Sequence, residues 1–277
     1  METAQPKKKY FKNFWKYRYL LKEIVVKNVK LQYRNSVLGV FWTFLQPLLM
    51  TIVLALVFEG FFGKGKKPGE YITYMLAGRL LFDFFKQSTK RAMLSIRNSA
   101  SVIKKVYVPK YIYPISNVTS CFVTFTISLT VLLAVMLFYF FKTGGDTGWY
   151  FSWNMLLFFV PVIILFVFCL GAGLILSVLE VFFKDIEYIY EVICTVLFYL
   201  TPIMYYMDSK SIKFGGFIST VIRLNPLYSI TNMFRSFVLG SLWDWNWLWY
   251  SALVSVVLFV IGLFVFYKSQ DKFILHI

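Results

Sequence analysis

Long runs of apolar residues without a charge dominate the pattern along the chain. A helix crosses the hydrocarbon layer of a membrane, which is about 30 Å thick, with about 20 such residues. Four runs are long enough: 35–58, 111–141, 147–179 and 245–267. Two weaker runs cover residues 192–207 and a stretch from about residue 71 that Arg79 and Asp83 interrupt. The pattern therefore predicts an all-α membrane protein with at least four crossings.

The distribution of basic residues indicates that the weaker runs are crossings too. Residues 1–34 carry ten basic side chains, and residues 86–110 carry seven with no acidic one. Cytoplasmic segments of membrane proteins are rich in Lys and Arg, so both belong in the cytoplasm. A chain that leaves after residue 34 must then return before residue 98. We predict six transmembrane helices, at about 35–62, 71–95, 111–141, 150–180, 188–207 and 245–267.

The same argument places both termini in the cytoplasm. Residues 35–267 then form the transmembrane domain, and 268–277 form a short cytoplasmic tail. This topology predicts a multi-pass membrane protein.

Composition excludes a water-soluble domain, and the positions of the basic residues indicate which partners the net charge favours. The chain of 277 residues is 59% hydrophobic and 15% charged, whereas soluble domains carry about 25% charged residues. Its formal net charge is +16, of which residues 1–34 contribute +8 and residues 86–110 contribute +7. Charge concentrated beside the membrane favours topology and lipid binding, so we expect no nucleic-acid partner. Salt-sensitive DNA binding by residues 1–34 would support the opposite interpretation.

Residues 1–34 are predicted to contain an amphipathic helix that lies on the cytoplasmic leaflet. Apolar side chains recur at helical spacing at Phe14, Tyr17, Leu20, Leu21, Ile24, Val25 and Val29. Basic side chains occupy other faces at Lys12, Lys16, Lys27, Lys30 and Arg34. Each basic group near an anionic surface contributes about 1 kcal/mol, so we expect anionic membrane lipid to hold this helix.

Few residues could support catalysis or metal binding. The chain has one histidine, His276, which excludes a multi-histidine metal site. Cys121, Cys169 and Cys194 lie in apolar runs without metal-ligand spacing and are typical of core residues. Residues 60–67 approach the phosphate-binding pattern G-x-x-x-x-G-K-[S/T], but Lys replaces the final hydroxyl residue. We expect no cofactor and no metal on this chain.

Two features within the crossings stand out. Arg79 and Asp83 lie four residues apart, so they share a helix face and can pair, which lowers the cost of placing each charge in the membrane. Intramembrane charges are candidates for a functional role, although an ion pair near the outer interface or at a subunit contact is the more ordinary interpretation. The small residues at 171–173 in the fourth crossing favour close helix packing.

Two segments outside the crossings have distinctive patterns. Residues 98–107 hold N-cap residues followed by two lysines and, shortly after, Pro109, which predicts a short cytoplasmic helix. Residues 208–240 are too polar to cross and too apolar for a free loop, and Gly215-Gly216 and Asn225-Pro226 divide them. Re-entrant half-helices of this kind are tolerated only where protein or water covers the backbone.

Aromatic residues make up 21% of the chain. Most must pack in the core or against lipid, yet mid-membrane Trp42 and Tyr199 each bring a polar group that needs a partner. Sugar rings stack on aromatic planes while their hydroxyls bind such groups, so an aromatic-lined path suits saccharides better than ions.

Five segments together resemble one family. They are VKLQYRNSVLGVFWTFLQPL at 29–48, NSASVIKKVYVPKYIYPIS at 98–116, VFFKDIEYI at 181–189, LTPIMY at 200–205 and NPLY at 225–228. In this order they resemble the type-two ABC exporter permeases that move O-antigen, capsule or wall teichoic acid polymers. The sequence departs from the family's pattern at Arg79 and Asp83, where mostly apolar residues are expected.

The resemblance implies a permease that works as a homodimer with two copies of a separate ABC ATPase, which binds ATP and Mg²⁺. Its substrate would be a lipid-linked polysaccharide, and its location would be the bacterial cytoplasmic membrane. The amphipathic segment then resembles the family's interface helix, residues 208–240 its gate hairpin, and 98–107 its coupling helix. The implied coupling residues are Ser99, Ser101, Ile103, Lys104, Lys105 and Tyr107. The implied channel-lining residues are Phe41, Trp42, Phe198 and Tyr199.

A different class of function remains open on the sequence. A membrane-embedded glycosyltransferase or acyltransferase of envelope synthesis would need a carboxylate pair or a histidine at the membrane surface, and Asp185, Glu187 and Glu191 are the candidates. Activity of the isolated chain without an ATPase would favour that interpretation.

Overall fold

The computed structural model describes residues 15, 17–34, 36–62, 70–106, 108–145, 153–205, 216–240 and 245–273, and within them every regular element is a helix. The ten α-helices of this part are α1 Arg18–Tyr33, α2 Trp42–Phe62, α3 Glu70–Asn98, α4 Ala100–Ile103, α5 Ile112–Lys142, α6 Phe159–Phe182, α7 Ile186–Leu200, α8 Gly216–Leu224, α9 Pro226–Val238 and α10 Trp245–Ser269. Short 3-10 turns precede α2 and α6 and follow α10.

Three segments of this helical part are long and apolar enough to cross a membrane: Ile112–Lys142, Met155–Phe182 and Trp245–Lys272. They contain α5, α6 and α10. The 3-10 turn before α2 and the first part of α2 form a shorter apolar helical segment, Gly39–Val53. Helix α3 is long enough but carries several charges, among them the pair predicted from the sequence.

Helix α3 forms the centre of the bundle. It packs against α5 on one side and α6 on the other, and most of its side chains are buried. The core beside it is rich in phenylalanine. Phe84 stacks on Phe125 of α5 with ring centroids 4.8 Å apart, and Phe85 lies 5.9 Å from Phe168 of α6. This core fixes α3 in place, so charges on α3 have defined surroundings.

Glycine allows α6 and α10 to approach each other closely. A Cβ on Gly171 would lie 2.6 Å from the backbone nitrogen of Phe259, and one on Gly262 would lie 2.6 Å from the carbonyl oxygen of Gly171. A Cβ on Gly173 would meet Ala92 of α3 at 2.7 Å. The small residues at 171–173 therefore serve helix packing, as their pattern predicts.

Two helices are shorter than the sequence indicates. Helix α7 ends at Leu200, seven residues before the predicted limit at 207, because Thr201 precedes Pro202 and takes an extended conformation. Helix α4 covers only 100–103 of the predicted 98–107, followed by a turn, and Ser99 stands at its N-cap position without a side-chain capping bond.

The amphipathic helix α1 shows the expected division of its faces. Val25 is buried, and Leu20, Leu21 and Ile24 are partly covered, whereas Lys27, Lys30 and Arg34 are exposed. Its neighbour is α5. The earlier part of the predicted helix, with Lys12, Phe14 and Lys16, lies outside the described residues.

Helices α2 and α7 keep large apolar surfaces uncovered. On α7 only Tyr190 and Cys194 are buried, and the outward residues are Tyr188, Ile189, Val192, Ile193, Val196 and Tyr199. On α2 and the turn before it the exposed side chains include Phe41, Trp42, Leu49, Met50, Ile52, Val53, Leu56 and Val57. Such surfaces require lipid or another protein to cover them.

Candidate functional site

The turn that begins with α4 presents an exposed apolar surface between basic residues. Val102 is 46% exposed and Val106 is 55% exposed. Ser101, Lys104 and Lys105 are exposed around them. Apolar side chains flanked by charges are typical of a docking surface.

The other residues predicted for this turn have different positions. Ile103 packs inward, against the cluster that contains Ile96 and Tyr113, so it anchors the turn. Ser99 is partly buried. Tyr107 lies outside the described residues. The sequence alone missed Val102 and Val106, although their spacing of four residues places them on one face.

Phe273, in the last described segment of the chain, belongs to the apolar cluster against which Ile103 of this turn packs. Phe273 is fully buried against Phe182 and Phe266. Lys110 donates a hydrogen bond of 2.5 Å from Nζ to the carbonyl oxygen of Gln270, and its partial burial lowers its pKa below the ordinary value. The described part of the predicted tail is therefore packed against the helix bundle.

Arg97, near the C-terminal end of α3, connects the segment before the turn to two further helices. It donates hydrogen bonds to Glu180 near the end of α6 and, at 2.8 Å, to Glu187 near the start of α7. The side chain of Glu180 is fully buried, whereas Glu187 is partly exposed. Arg97 thus fixes the end of α3 to the bend between α6 and α7.

A second group of ion pairs extends this connection along α7. Glu191 contacts Lys86 at 3.0 Å and Lys90 at 2.5 Å, both on α3. The hydroxyl of Tyr190 lies 2.6 Å from the Thr89 hydroxyl and donates to the carbonyl oxygen of Lys86 at 2.9 Å. Polar groups of α3 therefore hold the first half of α7, which also contacts α6.

Arg79 and Asp83 form the ion pair that their spacing predicts, at 3.3 Å between Nε and Oδ2. They line a partly open cavity of about 260 Å³ between α1, α2, α3 and α5. Its polar lining consists of Gln32, Tyr33, Ser36, Thr43, Gln46, Arg79, Asp83, Gln87, Thr124 and Ser128. The sequence could not locate this cavity, because its walls come from four separate segments.

A polar stripe on α3 forms one wall of this cavity. Asp83 and Gln87 follow Arg79 at intervals of four residues, and Arg91 continues the series by donating a 3.0 Å hydrogen bond to Oε1 of Gln32. Across the cavity, the hydroxyls of Tyr33 and Thr43 are 2.6 Å apart. Polar contacts thus continue from the end of α1 to the middle of α3.

The four predicted channel residues do not form one cluster within the described chain. Phe41, Trp42 and Tyr199 are exposed on α2, its preceding turn and α7. Phe198 instead packs against Phe82 of α3, with ring centroids 5.2 Å apart. Trp42 also lines the polar cavity.

Arg235 is a central residue that sequence reasoning missed. It lies on α9, is 3% exposed, and donates hydrogen bonds to three carbonyl oxygens: that of Tyr74 at 3.0 Å, of Pro202 at 2.7 Å and of Ile203 at 3.0 Å. Its guanidinium also lies 3.5 Å from the ring centroid of Tyr74. A single charge in the otherwise uncharged segment 226–238 was the available signal.

Asn225 joins the motifs NPLY and LTPIMY. Its Nδ2 donates a 3.0 Å hydrogen bond to the Thr201 hydroxyl, and its Oδ1 accepts one from the backbone of Leu227, which caps α9. Together with Arg235, it holds α9 against the end of α7. The first half of the predicted hairpin, residues 208–215, lies outside the described residues.

Comparison with known proteins places these features in a family. Residues 19–239 match the family described as ABC-2 type transporter. An O-antigen export system permease protein RfbA of Klebsiella pneumoniae is 27% identical over 256 residues, which cover 92% of this chain and 93% of that protein. The protein of the same name in Myxococcus xanthus is 28% identical, with 95% and 96% covered.

A more distant relative has a related name. The capsule polysaccharide export inner-membrane protein CtrC of Neisseria meningitidis serogroup B is 21% identical, with 91% of this chain and 92% of that protein covered. These matches confirm the resemblance seen in the five sequence segments. The chain belongs to the ABC-2 type transporter family of membrane permeases.

Proposed function

We propose that this chain is the membrane-spanning permease subunit of an ATP-driven exporter that moves a lipid-linked polysaccharide across the bacterial cytoplasmic membrane. The names of its relatives indicate the substrate class. The observation that carries the mechanism is the connection from the exposed turn at 100–106, through Arg97, to α7. Such a connection lets a partner on the cytoplasmic side move a helix of the transport path.

The partner at this turn is an ABC ATPase, present in two copies and carrying the ATP and Mg²⁺ sites. Val102 and Val106 supply apolar contacts, and Lys104 and Lys105 supply charges that pair with acidic groups of the ATPase. The helix α1 lies beside them on anionic lipid and resembles an interface helix.

A second copy of the permease completes the transport path. The uncovered apolar faces of α2 and α7 support a homodimer, with the polymer path between the two copies. Phe41, Trp42 and Tyr199 would then face that path or the partner, and Phe198 would support Tyr199 from behind. Family resemblance favours this arrangement over burial of both faces in lipid.

We infer six crossings, formed by α2, α3, α5, α6, α7 and α10, with both termini in the cytoplasm. In this topology α8 and α9 lie at the outer end of the bundle as the gate hairpin. The contacts of Arg235 and Asn225 with the end of α7 support a gate that moves together with α7.

In the resulting mechanism, ATP closes the two ATPase subunits and changes their contacts with the exposed turn. A ligand shifts a conformational equilibrium only if it binds one state better, so the closed ATPase dimer must hold this turn differently from the open one. Arg97 passes the displacement to α7 through Glu187, while Glu180 keeps α3 attached to α6. The displacement of α7 opens the path and carries the hairpin with it.

The double variant Lys104→Ala and Lys105→Ala tests this proposal. We expect lower co-purification of the ATPase and lower export, with normal amounts of permease in the membrane. Lys142→Ala, an exposed lysine at the opposite end of α5, is the matched control and should behave like the unchanged chain. If both ATPase association and export remained unchanged, the assignment of the turn would be wrong.

The alternative of a transferase receives no support from the three candidate carboxylates. Glu187 and Glu191 are engaged in ion pairs with Arg97, Lys86 and Lys90. Asp185 is exposed at the N-terminal end of α7. Sugar or acyl transfer by the purified chain without an ATPase would reverse this conclusion.

A further inference from the structure

The polar cavity between α1, α2, α3 and α5 has no role in the mechanism described so far. It lies within one chain, whereas the polymer path lies between two. We propose that this cavity is a binding site for one sugar unit of the lipid-linked polymer. The inference rests on the proposed function and adds to it a site at which the permease recognises the substrate.

The position of the cavity suits loading from the cytoplasmic side. Gln32 and Tyr33, at the end of the surface helix α1, form the wall of the cavity that faces the cytoplasmic side in this topology. Arg79 lies twelve residues before Arg91 on α3, which corresponds to about 18 Å along the helix. A polar lining therefore leads from the membrane surface toward the middle of the bundle, and a polar group attached to a lipid could follow it.

The side chains of the lining match hydroxyl groups. Gln46 and Gln87 are exposed to the cavity, and each side-chain amide supplies both donors and acceptors. Arg79 adds donors through the remainder of its guanidinium, since its buried Nε faces Asp83 at 3.3 Å, and Asp83 adds acceptors. Sugar hydroxyls both donate and accept, so they can satisfy this mixed set.

The charge balance favours a sugar over a phosphate group. Arg79 and Asp83 are the two ionisable side chains of opposite charge in the lining, and they pair with each other. A phosphate carries negative charge and accepts hydrogen bonds, so it would be repelled by the Asp83 carboxylate. A neutral, hydroxyl-rich unit meets neither penalty.

Trp42 supplies the apolar surface that sugar binding also requires. Its side chain lines the cavity near Gln46 on the same helix. An aromatic plane can cover the C–H face of a sugar ring while amides and charges bind its hydroxyls. The cavity thus combines one aromatic residue with amide, carboxylate and guanidinium groups at a depth where each polar group is costly without a partner.

The test uses the complete complex of this chain with its ATPase in lipid nanodiscs, and lipid-linked polymer extracted from the producing cells. The measured quantity is the polymer concentration that gives half-maximal stimulation of ATP hydrolysis. Loss of one hydrogen bond should raise this polymer concentration about three- to tenfold in Gln87→Ala and in Gln46→Ala. The maximal rate of ATP hydrolysis should stay unchanged. Both side chains are exposed, so neither variant should impair folding.

The control variant is Gln270→Ala, which removes a glutamine outside the cavity and should leave the concentration unchanged. A second titration uses the sugar-free carrier diphosphate, whose effect on ATP hydrolysis should be the same in Gln87→Ala and the unchanged chain. Polymer titrations that do not differ between the cavity variants and the control would overturn the inference. So would an equal weakening of the response to the sugar-free carrier, since that would assign the site to the diphosphate.

A failure of the proposed function would give a different result in the ATP hydrolysis measurement. If polymer did not stimulate ATP hydrolysis even with the unchanged chain, the exporter mechanism itself would be contradicted, and the inference with it. Stimulation of the unchanged complex with insensitive cavity variants would contradict the inference alone.

Discussion

The guanidinium group of Arg235 lies against Gly78, and its Cζ would be 2.9 Å from a Cβ placed on residue 78. This contact joins the middle of α3 to α9. It allows Arg235 to reach the carbonyl oxygen of Tyr74 on α3 and the carbonyl oxygens of Pro202 and Ile203 after α7. A glycine at position 78 is therefore needed for the hairpin to rest on the bundle.

Substitution of Gly78 by valine should destabilise the protein. Arg235 is held by three hydrogen bonds and cannot move aside without losing some of them, and overpacking of this kind costs about 1–3 kcal/mol. We expect a lower midpoint of thermal unfolding in detergent. Gly216→Val is the control, because a Cβ at Gly216 meets nothing within 4 Å. Equal midpoints for the two variants would refute the contact.

Replacement of Arg235 by lysine should also be costly, although it keeps the charge. One ammonium group cannot reproduce the planar fork that reaches Tyr74, Pro202 and Ile203. Each buried carbonyl left without a partner costs about 1–3 kcal/mol, so we expect a clear drop in the unfolding midpoint. The exposed Arg223 provides the comparison, and Arg223→Lys should be neutral. A stable Arg235→Lys protein would show that these hydrogen bonds do not hold the hairpin.

The two carboxylates that bind Arg97 should differ in importance. Glu180→Gln removes the charge of a fully buried carboxylate, while Arg97 remains 40% exposed and paired with Glu187, so we expect a loss of about 1.5–3 kcal/mol. Glu187→Gln removes a more exposed partner, for which about 0–1 kcal/mol is typical. Thermal unfolding of both variants checks this order. The account further expects Glu187→Gln to reduce export at normal stability, because Glu187 connects α3 to α7; normal export in that variant would argue against this route.

Helix positions and local packing could be predicted from the sequence wherever one segment carries the information. The pairing of Arg79 with Asp83 depends only on helical spacing, and the close approach at Gly171 depends on small residues that no other role explains. The early end of α7 could have been inferred from Pro202. These features require no knowledge of distant segments.

Features that join distant segments could not be predicted. The acceptors of Arg235 are backbone carbonyls of residues 74, 202 and 203, and carbonyls carry no signature in a sequence. The polar cavity depends on Gln32, Gln46, Gln87 and Thr124 meeting from four helices, each of which looks ordinary alone. The exposure of Val102 and Val106 depends on Ile103 turning inward, which the one-turn helix α4 decides.

We expect this chain to move a lipid-linked polysaccharide only when an ATPase acts on the turn at 100–106. The most direct measurement is ATP-dependent transfer of extracted lipid-linked polymer across proteoliposomes that contain this chain and its ATPase. We expect transfer when both proteins and ATP are present, and loss of transfer in Val102→Asp, which places a charge in the apolar docking surface. Transfer by this chain without the ATPase, or undiminished transfer by Val102→Asp, would contradict this expectation.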